Sequence, residues 1–420
     1  MTHVSFSDAL KVWGRIGCLS FGGPAGQIAL MHREIVEERG WLSEKDFLTA
    51  LNFCMLLPGP EAMQLATYTG WRLNGVKGGL AAGLLFVLPG AFVVLALSAL
   101  YAAFGTMGWV AAIFFGVKAA VLAIVIEALL RVARRALKSR ADWVIAGLAF
   151  ASLYVFGLPF PLVIALAALF GFLRGRGSAE NQGAAMPPLS QLARTVALWL
   201  AIWLVPLAAL DVLAGPGHVL TEVGVFFSKL AVVTFGGAYA VLTYMAQAAV
   251  EQKQWLAPQE MIDGLGLAET TPGPLILVTE FVGFMAGWRG TGSLWGGLAG
   301  ATVTLWVTFA PCFLWIFAGA PYIEMIGRKP RLSSALAAIT AAVVGVILNL
   351  SVWFGLHVLF GVVTRPESWF RPWLPVFASL DVAALALSLI AAAALFRFHL
   401  GIPKTLALCA TLGLAWKMAF

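Results

Sequence analysis

Charged residues are scarce in this chain of 420 residues. Asp, Glu, Lys and Arg make up 11% of it, against about 25% in an average soluble domain. Hydrophobic residues make up 61%, more than the interior of a soluble protein of this size can bury. The mean hydropathy of +0.90 excludes intrinsic disorder and leaves the lipid bilayer as the solvent. The composition therefore predicts a polytopic membrane protein with lipid as its surroundings.

Cysteine is rare as well, and the sequence contains no histidine motif. The four cysteines show no Cys-x-x-Cys spacing, which indicates neither a disulfide framework nor a metal site. The five histidines are scattered, and no zinc-protease, nucleophile-elbow or phosphate-loop pattern occurs. We therefore expect no enzyme, no cofactor and no ATP-driven transport by this chain alone. Basic cytoplasmic loops explain the net charge of +7, so no nucleic-acid partner is expected.

Apolar segments of about the length of a membrane span recur along the chain. A polar stretch at 174–190, rich in Gly, Pro, Ser and Ala, separates two groups of them and reads as a linker. The start lacks a basic region followed by an uninterrupted apolar run, so no cleaved signal peptide is expected. The segments lie near 6–31, 47–72, 76–104, 109–130, 142–157, 159–173, 191–213, 223–250, 259–287, 292–319, 332–363, 375–397 and 401–420. The predicted fold is all-α and polytopic, with about 13 transmembrane segments.

The chain repeats itself at an offset of 214 residues. Three motifs recur in order: Phe21-Gly22-Gly23 as Phe235-Gly236-Gly237, Trp41-Leu42 as Trp255-Leu256, and Pro58-Gly59-Pro60 as Pro272-Gly273-Pro274. Over the window 21–60, 12 of 40 positions are identical, and small insertions then align Pro89 with Pro311. This order of motifs indicates a duplication. We expect a first repeat at 1–174, a linker with one extra transmembrane segment at 175–219, and a second repeat at 220–420.

Loop charges indicate that the second repeat is inverted. Six spans and one linking span precede it, and an odd number reverses its orientation. The loop 131–140 carries five basic residues and is expected in the cytoplasm, whereas its counterpart near 364–372 has two against Glu367. Conversely, the loop 104–108 is uncharged, and its counterpart at 320–331 holds Arg328, Lys329 and Arg331. We therefore expect a cytoplasmic N-terminus, a periplasmic C-terminus and the inverted repeats of secondary transporters.

The repeated Phe-Gly-Gly (FGG) and Pro-Gly-Pro (PGP) motifs fall inside apolar segments, where they are expected to break helices. Broken backbone is tolerated at membrane depth only inside protein or along a cavity. Pro60 and Pro274 can each open a half-helix, whose N-terminal amides attract anions. Inverted copies would bring four breaks together as an anion site. The alternative is that these residues serve only close packing and kinks, which recurrence in both copies disfavours.

Ionisable residues within the spans are further candidates. Arg15 corresponds to Lys229, six residues before each FGG motif, and a cation beside both breaks suits a doubly charged oxyanion. The alternative is that both side chains reach toward the membrane interface. Lys118 has no counterpart, because Thr340 stands at its place.

Three acidic residues near the breaks are candidates for carrying a proton: Glu61, Glu269 and Glu280. Their counterparts are Leu275, Met55 and Ala66, so the acids are not symmetric. For Glu61, the alternative is a role in satisfying the amides at a helix start.

The motifs together resemble the chromate ion transporter family, in its long two-domain bacterial type. The similarity is carried by FGGPAGQIALMHREIVEERGWLSEKDF at 21–47 and LPGPEAMQLATYTGW at 57–71, and it extends over essentially the whole chain. The resemblance implies export of chromate across the bacterial inner membrane by alternating access, as an antiporter driven by the proton gradient or the membrane potential. A homodimer is the assembly to be tested.

The resemblance also implies a set of binding residues at the motif positions. They are Phe21, Gly22, Gly23, Pro24, Pro58, Gly59 and Pro60, and Phe235, Gly236, Gly237, Pro272, Gly273 and Pro274. The second copy departs from the pattern, because Ala238 stands where the first has Pro24. A carrier of sulfate or another oxyanion with the same architecture is the alternative. A lipid-modifying enzyme would need a polar catalytic cluster, which the sequence does not show, and the intramembrane charges argue against a passive scaffold.

Overall fold

The computed structural model describes residues 4–21, 23–105, 107–175, 188–235, 238–323, 330–366 and 369–419, with only the backbone at 238–240. Gly22, Gly236 and Gly237, together with the loop charges Arg328, Lys329 and Glu367, lie outside the described residues.

Helices form nearly all of the first copy. They are α1 (Phe6–Leu19), α2 (Gly23–His32), α3 (Glu44–Cys54), α4 (Glu61–Phe104), α5 (Gly108–Ala136), α6 (Arg140–Tyr154) and α7 (Phe160–Arg174). Asn74 and Gly75 within α4 have non-helical φ and ψ angles, so this range consists of two helical parts joined at a kink. The side chains of Ser5, Ser43 and Ser139 each accept a hydrogen bond from the backbone N–H three residues later. These caps fix where α1, α3 and α6 begin.

The linker and the second copy are helical too. They contain α8 (Leu189–Ala214), α9 (Val219–Val233), α10 (Ala238–Gln247), α11 (Pro258–Thr270), α12 (Val278–Thr291), α13 (Leu294–Gly319), α14 (Pro330–Leu359), α15 (Val382–Ala392) and α16 (Ile402–Ala419). Between α14 and α15, the strands β1 (Val363–Thr364) and β2 (Leu374–Pro375) pair antiparallel. The sequence did not predict these strands, which pair backbone groups in the loop between the two helices.

The helices break where the motifs lie. In the first copy, α1 ends at Leu19 and α3 at Cys54, and the chain resumes at α2 and α4. In the second copy, α9 ends at Val233 and α11 at Thr270, and a 3₁₀ turn at Leu275–Leu277 leads into α12. The FGG and PGP motifs thus interrupt the helices at the positions that the sequence predicts.

The backbone between the two motifs is also alike in the two copies. A π-helical turn occurs at Arg33–Glu37 and again at Ala248–Gln252. The N–H of Trp41 donates to the carbonyl of Ile35, and that of Trp255 donates to the carbonyl of Ala249, both at 2.8 Å. A cation lies beside each indole, Arg39 in the first copy and Lys253 in the second. The 214-residue offset therefore relates local conformations as well as residue types.

Five helical stretches in the described part of the chain are long and apolar enough to cross a bilayer. They are α4, α5, α8, Leu294–Tyr322 and α14. The other apolar segments correspond to shorter helices on either side of breaks or short loops. The chain is a multi-pass helical membrane protein, and the count of about 13 segments stays a prediction.

One compact unit contains 1–99, 177–241 and 271–333. In it, α12 and α13 pack along each other, because Gly287 faces the backbone of Gly296 with no room for a Cβ. Helices α8 and α9 pack on α13, and the Trp203 indole donates to Ser228 Oγ at 3.2 Å. This unit contains the FGG and PGP breaks of both copies.

The other compact unit contains 100–176, 242–270 and 334–420. Helix α5 lies at its centre and contacts α11, α15 and α16. Glycines bring these helices close: Gly116 meets the backbone of Cys409, and a Cβ on Gly266 would lie 2.6 Å from Val117 Cγ1. The segment 242–270 belongs to this unit, whereas its counterpart 28–56 belongs to the other. Each unit thus combines parts of both copies.

Candidate functional site

Each PGP loop is hydrogen-bonded to the backbone just before the FGG motif of the other copy. The N–H of Gly59 donates to the carbonyl oxygen of Thr234 at 2.7 Å, and the N–H of Gly273 donates to that of Ser20 at 2.8 Å. At the offset of 214, Gly59 corresponds to Gly273 and Ser20 to Thr234. The two bonds are therefore one contact made twice with the copies exchanged.

The residues of each loop explain its shape. Gly59 and Gly273 have φ angles of +120° and +90°, in the left-handed region that favours glycine. Pro60 and Pro274 follow, and their fixed φ and missing N–H suit the position before a new helical turn. Both loops are therefore sharp bends that end in a helix start.

The broken ends of α1 and α9 are capped in the same way in both copies. The Ser20 hydroxyl donates to the carbonyl of Ile16, and the Thr234 hydroxyl donates to that of Leu230, both at 2.6 Å. Ser20 and Thr234 are buried, so these bonds satisfy polar groups that water cannot reach. The carbonyl of each residue is then left to accept from the opposite PGP glycine.

Side-chain contacts also cross between the copies. A Cβ on Gly59 would lie 3.0 Å from the Cys312 sulfur, and one on Gly273 would lie 3.4 Å from the Gly90 Cα. The alignment of Pro89 with Pro311 makes Gly90 the counterpart of Cys312. Each PGP loop thus packs on the residue after the helix-interior proline of the other copy.

Two buried glutamines, which the sequence did not single out, hold the loop carbonyls. Gln27 Nε2 donates to the carbonyl of Gly273 at 2.6 Å, and Gln64 Nε2 donates to that of Pro58 at 2.7 Å. The side-chain carbonyl oxygen of each glutamine is buried without a hydrogen-bond partner among the described residues. In the sequence, each is an uncharged polar residue within an apolar segment. The sequence alone does not show whether such a side chain is buried or exposed.

The predicted cations Arg15 and Lys229 are both exposed. The Arg15 side chain is 56% exposed, and its Nε lies 3.5 Å from Glu34 Oε1. Glu34 is fully buried, and its other oxygen accepts from Arg39 Nη1 at 2.7 Å. One carboxylate is thus shared by two guanidinium groups, and Arg39 also lies 3.3 Å from Glu38 Oε2.

The three predicted acids have different surroundings. Glu280, on α12, is fully buried, and neither carboxyl oxygen has a hydrogen-bond partner among the described residues. Glu61 is half-buried at the start of α4, and Glu269 is buried near the end of α11. Each of these two residues has interaction partners. Glu280 and Glu61 belong to the unit with the PGP loops, and Glu269 belongs to the other.

The remaining motif residues lie in the same unit as the loops. Phe21 is exposed and Phe235 is half-buried, each next to a capped helix end. Gly23, with φ +73°, begins α2, and Pro24 follows in its first turn. Within the described residues, no group of three or more His, Cys, Asp or Glu side chains could hold a metal ion.

The arrangement can present first-turn amides to a ligand, but not the glycine amides. The N–H groups of Gly59 and Gly273 are already used in the bonds between copies. The first helical bond of α4 runs from the N–H of Gln64 to the carbonyl of Pro60, at 3.1 Å. Helix geometry leaves the preceding amides without an acceptor inside the helix, and such amides favour anions.

Helices broken in pairs within a multi-pass membrane protein are typical of secondary transporters. The chain belongs to the chromate transporter family. The family profile, described as "Chromate transporter", matches residues 7–172 and 221–414. The two matched ranges lie on either side of the linker and of α8.

Three relatives from bacteria agree with this assignment. The chain is 34% identical over 355 residues to the chromate transport protein of Pseudomonas aeruginosa, covering 82% of this chain and 80% of that protein. It is 30% identical over 339 residues to the chromate transport protein of Cupriavidus metallidurans, covering 79% and 78%. A probable chromate transport protein of Synechococcus elongatus is 29% identical over 373 residues, covering 87% and 90%. No solved structure matches the chain.

Proposed function

We propose that this protein exports chromate across the bacterial inner membrane by alternating access, as an antiporter coupled to the proton gradient or the membrane potential. The observation that carries the proposal is the pair of bonds from Gly59 to Thr234 and from Gly273 to Ser20. Secondary carriers with inverted repeats place their substrate at helix breaks where the repeats meet. Chromate is proposed as the transported ion because the chain belongs to the chromate transporter family.

The exchanged contacts support an inverted duplication, with repeats at 1–174 and 220–420. A two-fold axis makes each contact occur twice with the partners exchanged, and inverted repeats are related by such an axis in the membrane plane. The basic loop at 131–140 supports a cytoplasmic N-terminus and a periplasmic C-terminus.

Chromate would bind at the helix starts that follow Pro60 and Pro274, where first-turn amides and the helix dipole favour negative charge. Arg15 and Lys229 would raise the local positive potential without enclosing the ion, because both side chains are exposed. Phe21, Phe235 and the motif glycines and prolines would shape the broken backbone. Glu280, buried without a hydrogen-bond partner among the described residues, is the best placed of the three acids to take up a proton in this unit.

The test uses everted inner-membrane vesicles that contain the full chain. In such vesicles, uptake of labelled chromate corresponds to export from the cell. We expect uptake that depends on the protein and disappears when the proton gradient and membrane potential are collapsed. Excess sulfate, a dianion of similar shape, is expected to compete. Sulfate uptake without chromate uptake would favour the alternative substrate, and silence for both ions would remove the substrate assignment.

The charge assignment has its own test. Arg15→Ala and Lys229→Ala are each expected to lower chromate uptake several-fold, about the effect of removing 1 kcal/mol of favourable potential. Lys11→Ala is the matched control, because Lys11 lies one turn earlier on α1 and is exposed and paired with Asp8. If both variants insert normally and transport at the rate of the control, neither cation has the proposed role.

A further inference from the structure

A buried ion pair lies in the unit that does not contain the PGP loops. Lys118 Nζ on α5 is 3.2 Å from Asp263 Oδ1 on α11. The Tyr101 hydroxyl donates to the other oxygen, Oδ2, at 2.7 Å. The Asp263 side chain is only 7% exposed and that of Lys118 is 21% exposed. We call these three residues the Lys118–Asp263–Tyr101 cluster.

The cluster includes a cation well inside an apolar helix. Helix α5 is long and apolar enough to span the bilayer, and Lys118 is about 15 Å from its first residue by helical rise. Charged side chains inside membrane-spanning helices are rare and usually belong to ion or proton pathways.

The surrounding packing fixes the cluster. Gly266, one turn after Asp263, brings α11 against α5, because a Cβ there would lie 2.6 Å from Val117 Cγ1. The Tyr101 ring packs edge-on against Phe114, with the ring centroids 5.2 Å apart. Phe114 lies one turn before Lys118, so one face of α5 holds both the tyrosine and the ammonium group.

Neither charged residue has an ionisable counterpart in the duplication. Thr340 stands in the place of Lys118, and Thr49 in the place of Asp263. The duplicated backbone therefore does not require the pair. Because the pair occurs in a single copy, it fits a step that takes place once per transport cycle.

We infer that the Lys118–Asp263–Tyr101 cluster binds a driving proton of its own, distinct from the one proposed for Glu280, an inference that rests on the proposed proton-coupled transport. The proton forms an O–H bond on a carboxylate oxygen of Asp263 and cancels its charge. Lys118 then remains as an uncompensated cation, so the pair changes from net zero to net +1. In a site of low dielectric this change strongly favours a different packing of α5 against α11.

The other groups near Asp263 do not substitute for it. Glu260, one turn earlier on α11, adds a like charge. On α16, which also packs on α11, the titratable side chains are Cys409, which is buried, and Lys404 and Lys417 near the helix ends. On α5, Lys118 contacts the carboxylate of Asp263, whereas Glu127 pairs with Arg131.

The transport test uses the purified full chain in proteoliposomes with labelled chromate as the probe. Each variant is measured for chromate exchange at equal pH and for net movement driven by an imposed pH gradient. Asp263→Asn should lower the driven movement by about 100-fold, the usual effect of losing a proton-transferring group. Asp263→Asn has the net charge of the protonated pair, and its exchange at equal pH should persist, because exchange requires no net proton movement. Asp263→Glu should restore driven movement.

A purely structural role is separated by two further variants. Asp263→Asn combined with Lys118→Met leaves no unpaired charge, so driven movement would return if the unpaired Lys118 were the only defect of Asp263→Asn. The inference requires it to stay lost. Glu127→Gln, on the same helix, is the matched control and should behave as wild type.

A second readout does not depend on chromate. Infrared titration of the purified protein should show one protonated carboxyl in wild type and in Glu127→Gln that Asp263→Asn lacks. Wild-type protein that moves no chromate but shows this titration would overturn the proposed substrate and keep the proton site. An unchanged titration in Asp263→Asn, or normal driven movement by that variant, would overturn the inference.

Discussion

The two PGP loops have the same backbone contacts but different side-chain contacts. Gly59 and Gly273 each donate to the opposite copy at nearly equal distance. The glutamines that hold the loop carbonyls, however, both come from the first copy, and Val241 and Val278 stand at their counterparts. Duplication has thus kept the backbone geometry of the breaks, while the polar chemistry around them has become asymmetric.

The largest expected effect comes from adding a methyl group to either loop glycine. Gly59→Ala and Gly273→Ala should each lower the free energy of unfolding by about 2–5 kcal/mol, because left-handed strain adds to overpacking. If the loops are equivalent, thermal unfolding in detergent should give similar losses for both. Gly14→Ala is the control, since a Cβ there meets no atom within 4 Å. A loss confined to one loop would contradict the equivalence.

An intermediate effect is expected when the first copy is given the side chains of the second. Gln27→Val and Gln64→Val each leave a loop carbonyl without its donor, which should lower the free energy of unfolding by about 1–3 kcal/mol. Chemical unfolding of the purified protein measures it. Gln191→Val, at an exposed position on α8, should have almost no effect. Equal stability of all three variants would mean that the glutamine bonds do not support the loops.

The smallest effect concerns His32, whose place in the second copy is taken by Ala246. Its hydrogen bond to Glu44, at 2.6 Å, and the charges of Glu44 and Glu37 raise the pKa of His32 above 6.5. The stabilisation is complete below the unfolded pKa and is lost as pH rises through the raised folded pKa.

The expected change between pH 6 and pH 8 is under about 1 kcal/mol, because the partner carboxylates are more than half exposed. His32→Gln should remove this part of the pH dependence of unfolding, and His399→Asn, at an exposed position, should retain it. A pH dependence unchanged by His32→Gln would exclude the contribution.

The sequence predicts the helices and their breaks better than it predicts the contacts at those breaks. Apolar run length sets the helices, and Gly-Pro chemistry interrupts them at 58–60 and 272–274, because both effects are local. The acceptors of the loop amides, Ser20 and Thr234, depend on how distant segments pack. Arg15 shows the same limit, since its partner Glu34 lies on another element and the sequence does not reveal that pairing.

The bond from Gly59 to Thr234 also has a consequence for protein synthesis, because its two residues are far apart in the chain. Thr234 is made about 175 residues after Gly59, which at roughly 5–20 residues per second is a delay of about 10–35 s. Throughout this interval the first copy holds a loop amide whose acceptor does not yet exist, at a cost of several kcal/mol if it faces lipid. Until the second copy is synthesised, the Gly59 amide of the incomplete chain therefore needs another acceptor, from the insertion machinery or from water.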